Sequence, residues 1–149
     1  MLKKLKIIIV QATFYQDISK MLLEGAIAKI KENGYDYEII TVPGAFEIPT
    51  AIAMIIKSAL HKNEVAGYVA LGCVIRGETT HYDYVCLESA RGINKLAMKH
   101  QLAIGYGILT VENKEQAIAR ADVNQKNKGG FASQACIEMI KIKEKFIEQ

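Results

Sequence analysis

Hydrophobic positions along this chain follow two alternating rhythms. Four runs are apolar and largely β-branched: residues 5–10, 37–42, 65–75 and 102–109. Each is nearly continuous rather than alternating, the pattern of a strand covered on both faces. Elsewhere apolar residues recur at spacings of three and four, which predicts helices with one buried face. Ile18, Leu22, Gly25, Ala26 and Ile30 share the first such face. Ile48, Ile52, Ile55, Ile56, Ala59 and Leu60 define a second, and Val85, Ser89, Ile93 and Leu96 a third. A short helix is predicted over 114–121 and a polar loop over 122–130. Phe131, Ala135, Met139, Ile142 and Phe146 then predict a long amphipathic C-terminal helix.

The order β-α-β-α-β-α-β-α-α predicts an α/β fold in one domain over 1–149. Four parallel strands form a sheet with helices on both faces, giving three layers. Ligands of such sheets sit beyond the carboxyl ends of the strands, at a topological switch point. The unusual residues of this chain fall there. Phe14 follows the first strand, Pro43-Gly44-Ala45-Phe46-Glu47 the second, and Arg76-Gly77-Glu78-Thr79-Thr80-His81 the third, while 107–113 closes the fourth.

The third of these loops carries the densest chemistry. Thr80 can cap the helix that follows, with Asp83 three residues later as a carboxylate variant of the capping box. First-turn N–H groups would then face the loop and attract an anion. His81 lies in that first turn. One reading is a phosphate seat with a proton carrier beside it. The other is an ordinary strand-to-helix connection with a surface histidine, and this segment alone does not choose between them.

Composition narrows the classes. Half of the 149 residues are hydrophobic and 23% are charged, as in ordinary globular proteins. A net charge of +3 is too small and too scattered to point to nucleic acid. Cys73, Cys86 and Cys136 are an odd count without CxxC spacing, which argues against a disulfide framework or a zinc site and suits a reducing cytoplasm. No apolar stretch is long enough for a membrane span, and a strand pattern begins almost at once, so neither a membrane anchor nor a signal peptide is expected.

Four segments, VPGAFEIP (42–49), LGCVIRGETTHYDYV (71–85), GILTVEN with QA..RA (107–121) and NKG (127–129), closely resemble the lumazine synthase family of riboflavin biosynthesis. The resemblance covers essentially the whole chain and implies the flavodoxin-like sandwich. It also implies a reaction: 5-amino-6-(D-ribitylamino)uracil condenses with 3,4-dihydroxy-2-butanone 4-phosphate, releasing phosphate and water, in the penultimate step of the pathway. No metal or redox cofactor is implied. Holding two reactants in a reactive geometry and shuttling protons would suffice.

The resemblance assigns roles residue by residue. Phe14 matches the aromatic that stacks on the pyrimidine. Tyr15 stands where the family often has Asn. Ala45, Phe46 and Glu47 match the ribityl and pyrimidine contacts; Glu47 can accept hydroxyl hydrogen bonds and also suits the start of the next helix. Cys73, Val74 and Ile75 match positions that read the pyrimidine edge through backbone groups, and Cys73 is not proposed as a nucleophile. Glu78 and Thr79 match the phosphate loop, with the Glu78 carboxylate turned away. Arg120 matches the phosphate-binding arginine, His81 the catalytic proton carrier and Lys128 a lysine near the substrate. A second family lysine is replaced by Asn124. Tyr106 takes the place of a Phe that a neighbouring subunit lends to the site. His61 and His100 read as surface residues.

Members of the family form rings of five, and some assemble twelve rings into a shell. The short segment before the first strand favours a free pentamer here, with a decamer or a sixty-subunit shell as alternatives and the site at a subunit interface. Departures at Tyr15 and Asn124 leave open a non-catalytic flavin- or lumazine-binding homologue of the same fold. An electron carrier of flavodoxin type would need a Ser/Thr/Gly-rich loop after the first strand, which Gln11-Ala12-Thr13-Phe14-Tyr15 is not. A phospho-acceptor domain would need acidic residues where Val74-Ile75-Arg76 stand.

Overall fold

A computed structural model describes residues 4–147, apart from the side chains of Ala59 and Leu60. The elements in chain order are β1 (Lys6–Ala12), α1 (Gln16–Glu32), β2 (Asp36–Val42), a 3-10 turn (Ala45–Glu47), α2 (Ile48–Ile56) and α3 (Ala59–Glu64). They continue with β3 (Val65–Ile75), α4 (His81–His100), β4 (Ile104–Val111), α5 (Lys114–Ala121) and α6 (Lys128–Phe146). All three strand pairings are parallel, in the order β2-β1-β3-β4. This is the flavodoxin-like α/β sandwich.

The continuous apolar runs are explained by the two faces they serve. Ile7 and Ile9 of β1 point into one core with Ile18, Leu22 and Ile30 of α1 and Cys136, Ile137 and Ile140 of α6. Ile8 and Val10 point the other way, into a second core with Ile48 and Ile52 of α2 and Val85 and Ile93 of α4. Successive strand side chains alternate faces, so a strand covered twice must be apolar throughout. Each fully buried Ile or Leu contributes about 1.5–3 kcal/mol of burial free energy. β2 is an edge strand and only partly covered, and Lys6 pairs across to its Glu38 at 2.6 Å.

Helix ends follow local chemistry. α1 stops at Gly34, whose φ of +82° is left-handed backbone; its N–H donates to the Lys31 carbonyl at 3.0 Å. The second apolar face, read as one helix, is broken in two. Ser58 takes extended backbone, and its hydroxyl donates to the Ile55 carbonyl at 2.7 Å, diverting the chain between α2 and α3. The proposed contributions of Ala59 and Leu60 to that face lie outside the described side chains.

α6 turns its predicted face outward. Phe131 is 67% exposed and Phe146 72%, while Ala132, Ser133, Cys136, Ile137 and Ile140 are buried. The reason is close approach. A Cβ on Gly105 of β4 would run into the Ala132 carbonyl, and one on Gly129 into the Leu22 carbonyl of α1. At this end of α6 only small side chains such as Ala132 and Ser133 fit between backbones this near, so Phe131 and the stripe it begins are left outside.

Candidate active site

The switch point lies between β1 and β3. From β1 the chain crosses to β2 on one side, whereas β3 lies on the other, so the loops after β1 and β3 diverge and leave a crevice at their carboxyl ends. A cavity of about 550 Å³ opens there.

Three strand ends build its walls. Phe14 follows β1 and is 74% exposed, its ring held edge-on by Tyr15. After β2, Gly44 is extended and its carbonyl accepts the Glu47 N–H at 3.1 Å, closing the 3-10 turn. Buried Ala45 anchors that turn in the α2/α4 core, while Phe46 and Glu47 face the cavity. Cys73, Val74 and Ile75 bring the end of β3 into the floor, and Thr79 and His81 close the far side. Nine of the residues singled out from sequence therefore line one space. The wall is chiefly apolar and aromatic, with a carboxylate, a hydroxyl and an imidazole at its polar points, the composition of a small-molecule site.

The start of α4 differs from expectation. The Thr80 side chain makes no cap hydrogen bond; its carbonyl accepts the Asp83 N–H at 3.0 Å. The Thr79 hydroxyl accepts the His81 N–H instead, at 3.3 Å. Asp83 turns from the capping box to Arg76, 3.4 Å from Nη1. His81 is exposed at the cavity edge, free of burial in the core.

Glu78, Tyr106, Arg120 and Lys128 do not line this cavity. Glu78 is exposed on the loop. Tyr106 points from β4 towards α4, where its hydroxyl meets Ser89 and burial raises its pKa. Arg120 lies in the last turn of α5, in the layer formed with α1 and α6, and Nη1 donates to the Gln116 carbonyl at 3.1 Å. Lys128 opens α6 with its ammonium 5.0 Å from the centre of the Phe131 ring. Its place is set by Asn127, a left-handed residue (φ 45°) whose side chain accepts the Gly130 N–H at 3.2 Å, and by Gly129 packed on α1. The NKG motif is thus first a helix start and a close-packing device.

Sequence reasoning missed Tyr82 and Tyr84, which both line the cavity. Their signal is position: aromatics in the first turn of a helix that begins at the strand ends. Tyr82 also carries the Arg76 guanidinium, 4.3 Å above its ring. His61, read as a surface residue, is half-buried with Nδ1 2.5 Å from the Tyr68 hydroxyl. Burial lowers its pKa, assisted by Lys143 and His100.

Electrostatics assign the thiol a passive role. Burial, and to a smaller extent Asp17 and Cys86, push Cys73 up to about 12, so it stays a neutral thiol at physiological pH. Asp17 accepts from Lys114 at 2.8 Å, which lowers its pKa and ties the start of α1 to the start of α5. Among the described residues, no group of three or more His, Cys, Asp or Glu side chains could hold a metal ion.

Comparison with known proteins agrees along the chain. The family model described as 6,7-dimethyl-8-ribityllumazine synthase matches residues 4–144. The chain is 53% identical over 146 residues to a 6,7-dimethyl-8-ribityllumazine synthase of Bartonella henselae, covering 98% of this chain and 93% of the relative. It is 52% identical over 145 residues to one of Agrobacterium fabrum, covering 97% and 98%. A Zymomonas mobilis protein of the same name is 51% identical over 140 residues, covering 94% and 97%.

Proposed function

The chain belongs to the 6,7-dimethyl-8-ribityllumazine synthase family, a transferase family of riboflavin biosynthesis, and from that membership we propose how its cavity carries the reaction. The observation that carries the reading is the convergence of Phe14, Phe46, Glu47, Thr79 and His81, from three strand ends, on one cavity of about 550 Å³.

The substrates are 5-amino-6-(D-ribitylamino)uracil and 3,4-dihydroxy-2-butanone 4-phosphate. Phe14 stacks on the pyrimidine, whose edge is read by backbone groups of Cys73, Val74 and Ile75. Glu47 accepts hydroxyl hydrogen bonds of the ribityl chain, beside Ala45 and Phe46. The primary amine of the uracil attacks the ketone, and one water leaves as the imine forms. A proton is then lost from carbon and phosphate is expelled. The enol so formed tautomerises to a ketone, and the ribityl-bearing nitrogen closes on that new carbonyl with loss of a second water. His81 moves protons in these steps, since an imidazole gives and takes them near neutral pH. Backbone N–H groups of loop 77–80 and the Thr79 hydroxyl hold the phosphate, with Glu78 directed outward. The large apolar walls favour orientation of the two reactants over water, the main source of rate in a bimolecular condensation.

Tyr106, Arg120 and Lys128 serve the site from a neighbouring copy. Their absence from the cavity lining of their own chain supports this, as does the outward apolar stripe of Phe131, Ile142 and Phe146, which a neighbouring subunit could cover. The assembly is a homo-oligomer, with a pentamer as its basic unit. Arg120 would bind the phosphate bidentately. The single domain over 1–149 works in the cytoplasm; its three free cysteines support that setting. Among the described residues no helix is long and apolar enough to cross a membrane.

The test is direct. Purified protein is mixed with both substrates, and lumazine fluorescence is followed against an enzyme-free control. Turnover above the control is expected. Tight lumazine binding without turnover would contradict this reading.

A further inference from the structure

Where β3 ends, Arg76 gathers three side chains and a backbone carbonyl. Its backbone N–H donates to the Val111 carbonyl at 3.0 Å, extending the pairing with β4 by one residue. Nε donates to Glu112 Oε2 at 2.7 Å and Nη1 to Asp83 Oδ1 at 3.4 Å. The guanidinium also sits over the Tyr82 ring. Asp83 and Tyr82 belong to the first turn of α4, and Glu112 directly follows β4. One planar cation therefore bridges both ends of loop 77–80 and fastens them to the neighbouring strand. Glu112 is held in turn, its N–H donating to Gln116 Oε1 at 2.8 Å.

The loop itself has few restraints. A Cβ at Gly77 would meet nothing within 4 Å, and Glu78 is exposed. Yet Gly77, Thr79, His81 and Tyr82 all line the cavity. Two carboxylates on one guanidinium compensate its charge, so Arg76 is occupied as a brace and is a poor ligand for an anion.

We propose that Arg76 is a positioning residue that, through Glu112 and Asp83, holds loop 77–80 in the geometry that receives the phosphate of the butanone substrate. This rests on the function proposed above. The fork of Nε and Nη1 reaches two carboxylates in a fixed plane, which a lysine ammonium does not reproduce.

Steady-state kinetics of the assembled enzyme, varied separately in each substrate, test it in wild type, Arg76→Met, Arg76→Lys, Glu112→Ala and the Arg76→Met/Glu112→Ala double variant. The KM for the butanone phosphate should rise about fivefold in Arg76→Met and in Glu112→Ala, the size expected of a partly exposed charge pair. The double variant should rise no further, because both changes remove one interaction. Arg76→Lys should fall between wild type and Arg76→Met. The KM for the ribitylaminouracil and the thermal midpoint should stay as in wild type. An unchanged butanone phosphate KM, or equal rises for both substrates with a lowered midpoint, would overturn the proposal while leaving the synthase reading intact. An inactive wild type in the same assay would overturn that reading and the proposal together.

Discussion

The rings of Phe14 and Tyr15 meet edge to face, with centroids 4.9 Å apart and planes 78° from each other. The two neighbours have opposite environments. Phe14 is 74% exposed in the crevice, whereas Tyr15 packs on the α1/α6 core, where burial raises its hydroxyl pKa. A half-buried ring thus aims an exposed one. Phe14→Ala should leave the thermal midpoint within about 2 °C, because little buried surface is lost, and should raise the KM for the ribitylaminouracil about tenfold through lost stacking. Tyr15→Ala should instead cost about 2 kcal/mol of stability. Denaturant titrations and initial rates of the two variants separate these effects.

His81 occupies the exposed first turn of α4, so its side chain can be removed without opening the core. His81→Ala should keep the assembly and its thermal midpoint while lowering kcat about 10²–10⁴-fold, the range for loss of a general acid–base. Light scattering and single-turnover kinetics check the two halves. Turnover equal to wild type would remove His81 from the mechanism.

The outward stripe of α6 depends on glycine at the β4 contact. Gly105→Ala would press a methyl group into the Ala132 carbonyl, and a backbone atom cannot swing aside as a flexible side chain can. Overpacking of this kind costs about 1–3 kcal/mol or more. Urea unfolding of Gly105→Ala should show that loss; a midpoint equal to wild type would mean that α6 sits farther from the sheet than described.

Two thiols make stability fall in alkali. Burial raises Cys73 from 9.0 to about 12 and Cys136 likewise, because the thiolate is disfavoured in both surroundings. The folded pKa is above the unfolded one, so this contribution is complete below pH 9 and is lost as pH rises from about 9 towards 12. The urea midpoint should therefore decline as pH rises from about 9, and Cys73→Ala should flatten the decline. At pH 7.5 iodoacetamide should label Cys73 far more slowly than an exposed thiol. Rapid labelling of the folded protein would contradict the assignment.

Most of the sheet and the cavity wall were legible in the sequence, for a physical reason. Ile7 to Val10 must be apolar throughout because both faces of β1 are covered, and Pro43 to Glu47 and the loop after β3 stand out because they interrupt such runs. The orientation of α6 was hidden. Its periodicity marks two stripes, and which one faces in is decided by Gly105 and Gly129 on other elements. The break at Ser58 was hidden because one serine hydroxyl outweighed an otherwise continuous apolar face. At the start of α4, Arg76 lies seven residues from Asp83 in sequence, and its competition for that carboxylate shows only in three dimensions. Tyr106, Arg120 and Lys128 carry family-specific signals without a local one, and within a single chain they do not line the cavity.

The proposed condensing site is built by two copies of the chain, with His81 from one and Arg120 from the next. His81→Ala and Arg120→Ala subunits, each purified, can be unfolded together, reassembled at equal ratio and assayed for lumazine formation. Random assortment should restore about a quarter of the sites, each pairing an intact His81 with an intact Arg120 across an interface. Activity should then rise well above that of either variant alone, towards about a quarter of reassembled wild type. A mixture no more active than its two components, beside an active wild type reassembled in the same way, would contradict the shared site.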